Sequence, residues 1–318
     1  MKSLQESDVK RLLNCEQVVE AIENAFRERY TETVMPVRTH INVEGGIFLI
    51  MPCYDREARG LGMKLIMVSD RPAVPEEKIH ANYLLLDPAN GHPRLLIAAN
   101  YLTDIRTAAV SAVATRHLAR QDARVLGIFG TGRQARSHLQ VVRKVRKFES
   151  ILVSGVDPAQ TRDFAQEMAQ EFGAKVESVY PRACAAESDV LCTCTTSSTP
   201  LFDGNVIRSG THINAIGSFQ PHTREIDDVT VRRARLVVDT YEGALAEAGD
   251  LLIPMNKGLI SRSHIVADLH EMLTGKKRVR LSDHDITLFK SVGNALEDLA
   301  AAELLQEDQL RLSAPEPC

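Results

Sequence analysis

One short segment constrains the fold of this chain more than any other. In it an apolar run is followed by two closely spaced glycines and then at once by a helical stretch. The run VLGIF closes at Phe129, and the next six residues read GTGRQA. In a strand–turn–helix unit, the first glycine permits a tight turn, the second lets the backbone approach a pyrophosphate, and a small third residue lets the helix pack on the strand. The N–H groups at the start of the helix favour an anion. The sequence therefore predicts a dinucleotide-binding turn, lined by Gly130, Thr131, Gly132, Arg133, Gln134 and Ala135.

The residues around this turn alternate between short apolar runs and helical stretches. ILVSG, DVLCTCT, HINAIG and RLVVDT read as strands, and DPAQTRDFAQEMAQEF between the first two reads as a helix. Strands and helices that alternate at this spacing indicate a parallel sheet with helices on both faces. We therefore predict an α/β fold with a doubly wound Rossmann domain over residues 116–291.

The N-terminal third has a different pattern. VRTHINV, GIFLIMP, GLGMKLIMV, HANYLLLD and PRLLIAA are β-rich runs separated by turn formers, which predicts hairpins in an antiparallel or mixed sheet whose first strand begins at Met35-Pro36. A helix is predicted over residues 14–30. The amphipathic helix in the last stretch has no strand after it and is expected to pack on this region. Residues 1–115 with 292–318 are thus predicted to form an α+β domain.

Composition excludes several classes of protein. The 318 residues carry 38 Lys and Arg against 42 Asp and Glu, which gives a net charge of −4 and argues against a nucleic-acid partner. No apolar run approaches the roughly 18–20 residues that span a bilayer, so no membrane association is expected. Six cysteines are too few for a disulfide scaffold, and the spacing of Cys192 and Cys194 does not suit a zinc site. We expect a cytoplasmic protein without a metal.

The choice between NADH and NADPH depends on the end of the strand that follows the glycine turn. An acid that binds the adenosine ribose is expected roughly 20 residues after the glycines. Ser154 and Gly155 stand there, and Asp157 comes slightly late. Asp157 either repels a 2′-phosphate or caps the helix that begins at Pro158, so the preference stays open.

Three basic residues occupy positions where a globular core rarely places them. Arg38 lies in a predicted β run, Lys64 interrupts GLGM-K-LIMV, and Arg106 is predicted in the first turn of an Ala-rich helix that Thr103 or Asp104 would cap. Long basic side chains often extend to solvent. A guanidinium beside a helix N-terminus, however, forms a natural anion pocket. The spacing alone does not show that the three converge.

Many stretches resemble the ornithine cyclodeaminase/μ-crystallin family, in order and over nearly the whole length. They are MPVRT, GMKL, LTDIRTAAVSAVATRHLA, GIFGTGRQA, INAIGS, REIDD, ADLHEMLTGKKRVR and KSVGNALEDLAAA. The resemblance implies a homodimer. It also implies that the N-terminal domain, joined by the last helix, forms the substrate pocket and the subunit contact, while the Rossmann domain holds NADPH or NADH.

The resemblance further implies roles for individual residues. Lys64 and Arg106 are expected to be catalytic, and the substrate carboxylate is expected to be bound by Arg38, Lys64 and Arg106, with Thr107 and Ser111 nearby. The cofactor is expected to contact the glycine turn together with Ser154, Asp157, Thr195, Gly217, Val292, Gly293 and Asn294.

One departure from the family pattern decides the predicted reaction. Deaminating members, and the alanine dehydrogenases that resemble them, carry an acid two residues after the glycine of the NAIG strand, where this chain has Phe219. Phenylalanine cannot take a proton from a cationic amine, and Asp227 or Asp228 is the alternative acid. Reduction of a cyclic 2-imino acid needs no such base. It needs a carboxylate clamp, an apolar wall such as Phe219 and a holder for the iminium proton, for which Lys64, His222 or a water molecule is available.

The sequence thus predicts an NAD(P)H-dependent reductase that converts Δ1-pyrroline-2-carboxylate to L-proline, or the six-membered homologue to L-pipecolate. It also predicts that no acid lies beside the three cations. An amino-acid dehydrogenase or ornithine cyclodeaminase is the alternative enzyme, and a μ-crystallin-like protein that binds NADPH and a ligand without turnover is the alternative from another class.

Overall fold

A computed structural model describes residues 1–71 and 78–313, with side chains described as far as residue 306. The chain divides into two compact units. The first contains Met1–Arg106 and Asn294–Cys318, and the second contains Thr107–Gly293. One boundary between the two units therefore lies between residues 106 and 107, inside a continuous helix, whereas the sequence predicts it between residues 115 and 116. The other boundary lies between residues 293 and 294, whereas the sequence predicts it between residues 291 and 292.

The first unit is built on a seven-stranded sheet. Its strands are β1 (Lys2–Leu4), β2 (Thr33–Val34), β3 (Thr39–Val43), β4 (Gly46–Asp55), β5 (Gly60–Ser69), β6 (Ile79–Leu86) and β7 (Pro93–Ala98). The order is β1-β7-β6-β5-β4-β2, with β3 also paired to β4. The predicted hairpins β3–β4, β4–β5, β5–β6 and β6–β7 are confirmed as antiparallel pairs. The parallel pairing of β1 with β7 has no signal in the sequence.

Helices accompany this sheet. They are α1 (Glu6–Leu12), α2 (Cys15–Asn24), the start of α3 (Asn100–Leu118) and α11 (Ala295–Ser313). Asn14 caps α2 by accepting from the N–H groups of Glu16 and Gln17, but the α-helix ends at Asn24 and a π-helical turn continues the chain. The C-terminal helix α11 packs against α2, β4 and β5, as predicted.

Two predicted boundaries in this unit are wrong. Helix α3 begins at Asn100 rather than near Thr103, so Arg106 lies almost two turns inside it and not at its N-terminus. The first long strand begins at Thr39, and residues 35–38 have no regular structure, so Arg38 lies in the segment before β3. Element boundaries of this kind depend on tertiary pairing, which local propensity does not register.

The second unit is a doubly wound α/β domain. It continues α3, and its strands are β8 (Val125–Phe129), β9 (Ser150–Ser154), β10 (Val176–Ser178), β11 (Val190–Thr193), β12 (His212–Ala215), β13 (Arg235–Val238), β14 (Ile265–Asp268) and β15 (Thr287–Lys290). The helices are α4 (Arg133–Val142), α5 (Pro158–Phe172), α6 (Pro181–Glu187), α7 (Asp228–Arg233), α8 (Tyr241–Glu247), α9 (Gly249–Asn256) and α10 (Leu269–Leu273).

All eight strands of this sheet run parallel, in the order β10-β9-β8-β11-β12-β15-β13-β14. The chain moves outward in one direction from β8 to β10 and then crosses back to β11. The order therefore reverses between β8 and β11, which is the Rossmann topology, and such sheets bind ligands outside the carboxyl ends of the strands at this switch point. The predicted fold class is confirmed.

Neither a long apolar helix nor a disulfide occurs in the parts of the chain described. No helix there combines the length and apolarity needed to cross a bilayer. Cys15, Cys53, Cys184, Cys192 and Cys194 are free thiols, and the last two are buried in the second unit, as predicted for small apolar side chains.

Candidate active site

The switch point carries the predicted glycine turn. Gly130 has φ +109°, and a Cβ there would lie 2.6 Å from the carbonyl oxygen of Cys194, so only glycine fits between β8 and β11. A Cβ on Gly132 would meet nothing within 4 Å, which leaves the backbone open to an approaching group. Gly132 is also the N-cap of α4, and no side chain caps that helix. Ala135 is buried, so α4 packs closely on β8. The turn fits a pyrophosphate.

The end of β9 is free of an available acid. The Asp157 carboxylate accepts from the N–H groups of Ala159 and Gln160 at 2.7 and 3.3 Å, so it caps α5. Ser154 is buried, and its hydroxyl has no hydrogen-bond partner among the described residues. A Cβ on Gly155 would lie 2.5 Å from Thr161 Oγ1, which excludes an acidic side chain there.

A cavity of about 200 Å³ opens beside the end of β9. It is lined by Gly155, Pro158, Thr161, Arg162, Ser178, Val179, Tyr180 and Pro181. An apolar wall with one guanidinium suits the adenosine end of a dinucleotide.

A buried carboxylate fixes the segment after β15. Asp239 Oδ2 accepts from Ser291 Oγ at 3.0 Å and from the N–H groups of Val292 and Gly293 at 2.7 and 2.8 Å, while Oδ1 accepts from Thr240 N–H. The predicted cofactor residues Val292 and Gly293 are thus held by an acid that the sequence analysis missed.

In the first unit, two of the three predicted cations meet at one carboxylate. Lys64 Nζ lies 2.7 Å from Asp298 Oδ1, and Arg106 Nε lies 2.8 Å from the same oxygen. Arg106 also donates through its NH1 group to Glu297 Oε2 at 2.5 Å. Lys64, Glu297 and Asp298 are fully buried, and Arg106 is 5% exposed.

Arg38 belongs to the same electrostatic cluster. Burial, followed by the Arg106 and Arg38 guanidiniums, lowers the pKa of Lys64 to about 7 against the opposing effect of Asp298. Arg38 itself is half-buried. Lys64 and Arg106 therefore meet at one carboxylate, and Arg38 lies near enough to act on the charge of Lys64, which the sequence alone did not show.

The expectation that no acid stands beside these cations is wrong. Glu297 and Asp298 come from the first turn of α11, and the consecutive acids inside NALEDLAAA were the signal for them. Buried charges need partners, so two acids on the apolar face of a packed helix indicate buried cations opposite. Asp298 Oδ2 is buried and has no hydrogen-bond partner within the described residues.

Asn294 connects the start of α11 to this cluster. Its side-chain oxygen accepts from the N–H groups of Leu296 and Glu297, and its Nδ2 donates to Glu297 Oε1 at 3.1 Å. The residue predicted to contact the cofactor thus caps α11 and orients the acid that holds Arg106.

The remaining predicted substrate residues lie in the second unit. Thr107 is buried on α3, and Phe219 is half-buried against the core that lines β11 and β12. Ser111 is buried and contacts His138 Nε2 at 2.9 Å. Their assignment to the substrate stays a proposal.

The alternative acids are engaged in local structure. Asp227 caps α7 through Thr230 N–H and also accepts from Gly204 N–H, and Asp228 pairs with Arg224 and Lys257. Neither carboxylate is available as a general base.

The whole chain is similar to proteins of one family. A sequence model of the ornithine cyclodeaminase/mu-crystallin family matches residues 2–312. A Delta(1)-pyrroline-2-carboxylate reductase of Bacillus cereus is 37% identical over 308 residues, covering 95% of this chain and 94% of that protein. The ketimine reductase mu-crystallin of Mus musculus is 35% identical over 284 residues, covering 86% of this chain and 83% of that protein.

A solved structure covers this chain completely. It is the Thermococcus litoralis Delta(1)-pyrroline-2-carboxylate reductase in complex with NADH and L-proline, with 39% sequence identity, a TM-score of 0.93 and 100% of both chains covered. The resemblance inferred from the motifs is confirmed. The chain belongs to the ornithine cyclodeaminase/mu-crystallin family.

Proposed function

We propose that this protein is an NAD(P)H-dependent reductase of cyclic 2-imino acids, which converts Δ1-pyrroline-2-carboxylate to L-proline or its six-membered homologue to L-pipecolate. The observation that carries the proposal is the meeting of Lys64 and Arg106 at Asp298 Oδ1, with the Arg38 guanidinium near enough to lower the pKa of Lys64. The relatives named as Delta(1)-pyrroline-2-carboxylate and ketimine reductases, and the structure with NADH and L-proline, support this activity and this cofactor.

The charge of the cation cluster fits a substrate with one carboxylate. Arg38, Lys64 and Arg106 contribute three positive charges, and Glu297 and Asp298 contribute two negative charges. The cations of this cluster thus outnumber the two acids, and an arginine guanidinium binds a carboxylate in a defined orientation.

The chain's own residues fit the reduction of a C=N bond. When bound, NAD(P)H supplies the hydride that the imine carbon accepts. The cations of the first unit fix the carboxylate, and the Lys64 ammonium donates the proton that the imine nitrogen keeps in the amine product, since His222 is exposed on a turn. Gly130, Gly132 and the end of β9 hold the dinucleotide.

Phe219 favours reduction over deamination. The family resemblance implies an acid at this position in deaminating members, and Asp227 and Asp228 are committed to structural contacts. An apolar side chain excludes water from the reacting iminium, which otherwise hydrolyses.

A homodimer and a cytoplasmic location complete the proposal. All five side chains of β3 are exposed, and Val34, Val37, Ile41 and Val43 on or beside this strand are more than 40% exposed. Exposed apolar side chains along a sheet edge are typical of a subunit contact. Free thiols at the described cysteines agree with a reducing compartment. Sedimentation equilibrium of the purified protein, with Ile41→Lys as a disrupting variant, tests the dimer.

The activity is tested by mixing the purified protein with NADH or NADPH and Δ1-pyrroline-2-carboxylate or the six-membered imino acid. We expect the absorbance of the reduced nicotinamide to fall with at least one ring size. Ammonia release from L-ornithine with NAD⁺, without imine reduction, would establish the cyclodeaminase instead. Tight cofactor binding without turnover of either compound would establish the binding protein.

A further inference from the structure

A buried glutamate ties together the carboxyl ends of two strands in the second unit. Glu225 is fully buried and receives four hydrogen bonds of 2.7 Å. Thr195 donates two of them, from its N–H and its hydroxyl, and Thr193 Oγ1 and Gly217 N–H donate the others. Thr193 ends β11, and Gly217 follows β12, so one carboxylate joins both strand ends.

A second pair of buried charges supports this glutamate. Asp250 Oδ1 accepts from the N–H groups of Glu225 and Ile226 at 2.7 and 2.9 Å. Lys290 Nζ lies 2.9 Å from Asp250 Oδ2 and donates at 2.5 Å to the carbonyl oxygen of Ser218. The network therefore also fixes the segment that leads into Phe219.

Packing alone does not account for these groups. Removing a charge from water costs several kcal/mol, and apolar residues of similar volume often stabilise a fold as well or better. The backbone segments at Thr195 and Gly217 also approach each other closely, since a Cβ on Gly217 would lie 2.1 Å from the carbonyl oxygen of Thr195. The network stands at the carboxyl edge of the sheet, where open α/β domains bind their ligands.

We propose that Glu225 is a positioning residue for the nicotinamide half of the cofactor. It holds Thr195 and Gly217 in the conformation that receives this half, and Asp250 and Lys290 hold Glu225 and the following segment. The inference rests on the proposed function only in requiring a nicotinamide dinucleotide as the cofactor.

The test compares two ligands that share the adenosine and pyrophosphate groups. ADP-ribose lacks the nicotinamide, whereas NADH carries it. Glu225→Gln keeps the shape but replaces one acceptor oxygen with an NH₂ group, which then faces the backbone N–H donor of either Thr195 or Gly217. By isothermal titration calorimetry, we expect the Kd of NADH to rise about tenfold and the Kd of ADP-ribose to change less than about twofold.

Two further variants keep the test decisive. Asp189→Asn is the matched control, because Asp189 also accepts from two backbone N–H groups, those of Arg124 and Val125, but at the amino ends of the strands. It should leave both Kd values unchanged. If Glu225→Gln does not fold, Thr193→Val removes a single donor to Glu225 and should show the same selective loss for NADH, to a smaller degree.

The proposal is overturned if the glutamate variant binds NADH as well as the wild type does, or if NADH and ADP-ribose lose affinity equally. The assay needs no imino acid, so an error in the proposed substrate leaves its result interpretable. A wild-type protein that binds neither ligand would overturn the cofactor assignment as well.

Discussion

Lys64 Nζ and Asp298 Oδ1 lie 2.7 Å apart with both side chains fully buried. Lys64 comes from the middle of β5 and Asp298 from the first turn of α11, so residues 234 positions apart in sequence form one ion pair. Arg106 shares the same carboxylate. The acids of α11 therefore set the position of the cations that are proposed to bind the substrate.

The protonation of Lys64 should control the pH dependence of catalysis. Its pKa is lowered to about 7, chiefly by burial and then by Arg106. The ammonium is present below that pH and is lost above it, so we expect kcat/KM for the imino acid to fall as the pH rises through about 7. Steady-state rates from pH 5.5 to 9 measure this effect.

Two variants identify the group responsible. Lys64→Arg keeps a positive charge throughout this range and should remove the inflection. Asp298→Asn removes the charge that raises the pKa of Lys64, so the inflection should move to lower pH. An inflection that stays near pH 7 in Lys64→Arg would assign it to another group.

Arg106 should matter for both stability and activity. Arg106→Met breaks the buried ion pairs with Glu297 and Asp298, and breaking a buried pair costs about 3–5 kcal/mol of unfolding free energy. The loss of the carboxylate contact should lower kcat/KM by about 2–5 kcal/mol of transition-state stabilisation. Urea denaturation and steady-state kinetics measure the two effects.

A double variant separates these effects. Arg106→Met with Glu297→Leu removes one buried acid together with its partner and should recover much of the stability but none of the activity. Arg124→Ala, at a half-exposed arginine of the second unit, is the control. Near-normal rates in Arg106→Met would show that the proposed carboxylate clamp is misplaced.

Phe219 should set the balance between reduction and deamination. Phe219→Asp places a carboxylate in an apolar wall and removes packing against the second unit's core. We expect imine reduction to fall by about tenfold or more and ammonia release from L-ornithine, relative to reduction, to rise. Phe219→Leu should stay near the wild type. Equal reduction rates in the aspartate variant would remove Phe219 from the site.

A single substitution at Gly155 should not change the preference between NADH and NADPH. In Gly155→Asp the new Cβ would collide with Thr161 Oγ1, so we expect a loss of about 1–3 kcal/mol in stability and weaker binding of both cofactors. Adding Thr161→Ala removes that oxygen. The double variant should raise the ratio of kcat/KM for NADH to that for NADPH, because a carboxylate accepts from the ribose 2′-hydroxyl and repels a 2′-phosphate. An unchanged ratio in a stable double variant would place the adenosine ribose elsewhere.

Two buried histidines should make the second unit sensitive to acid. Burial lowers the pKa of His138 to about 4 and that of His212 to about 3. Between the unfolded pKa of about 6.5 and these values, only the unfolded chain takes up the protons, so stability falls as the pH falls, by about 1.4 kcal/mol per pH unit for each histidine. Urea denaturation between pH 7 and 5 measures the slope.

Histidine variants assign this slope. His138→Gln should reduce it, whereas His222→Gln, at an exposed position, should not. A slope unaffected by His138→Gln would assign the acid sensitivity to other groups.

The sequence predicted what local patterns determine. The glycine turn, the parallel alternation and the hairpins each depend on residues near one another. For Asp157 the sequence left two roles open, and the structure shows the cap of α5. The start of α3 at Asn100 and the loss of strand structure at Arg38 depend on pairing with distant strands, which a local window does not contain.

The chemistry of the cation cluster was only half predictable. The cations stood out because each interrupts an apolar pattern. Their partners Glu297 and Asp298 lie 191 to 234 residues away in sequence and looked like the polar face of a terminal helix. The role of Asp239 was missed for the same reason, because its partner Ser291 is distant in sequence. The strand before Asp239 was predicted only from its apolar residues.

The four hydrogen bonds of Asp239 have a consequence for how fast a ligand is captured. Because they come from the protein itself, the turn of Ser291, Val292 and Gly293 is held in shape before a ligand arrives. A preorganised turn spends little conformational entropy on association. Encounter with the dinucleotide should therefore be limited by diffusion and orientation rather than by the ordering of this part of the backbone.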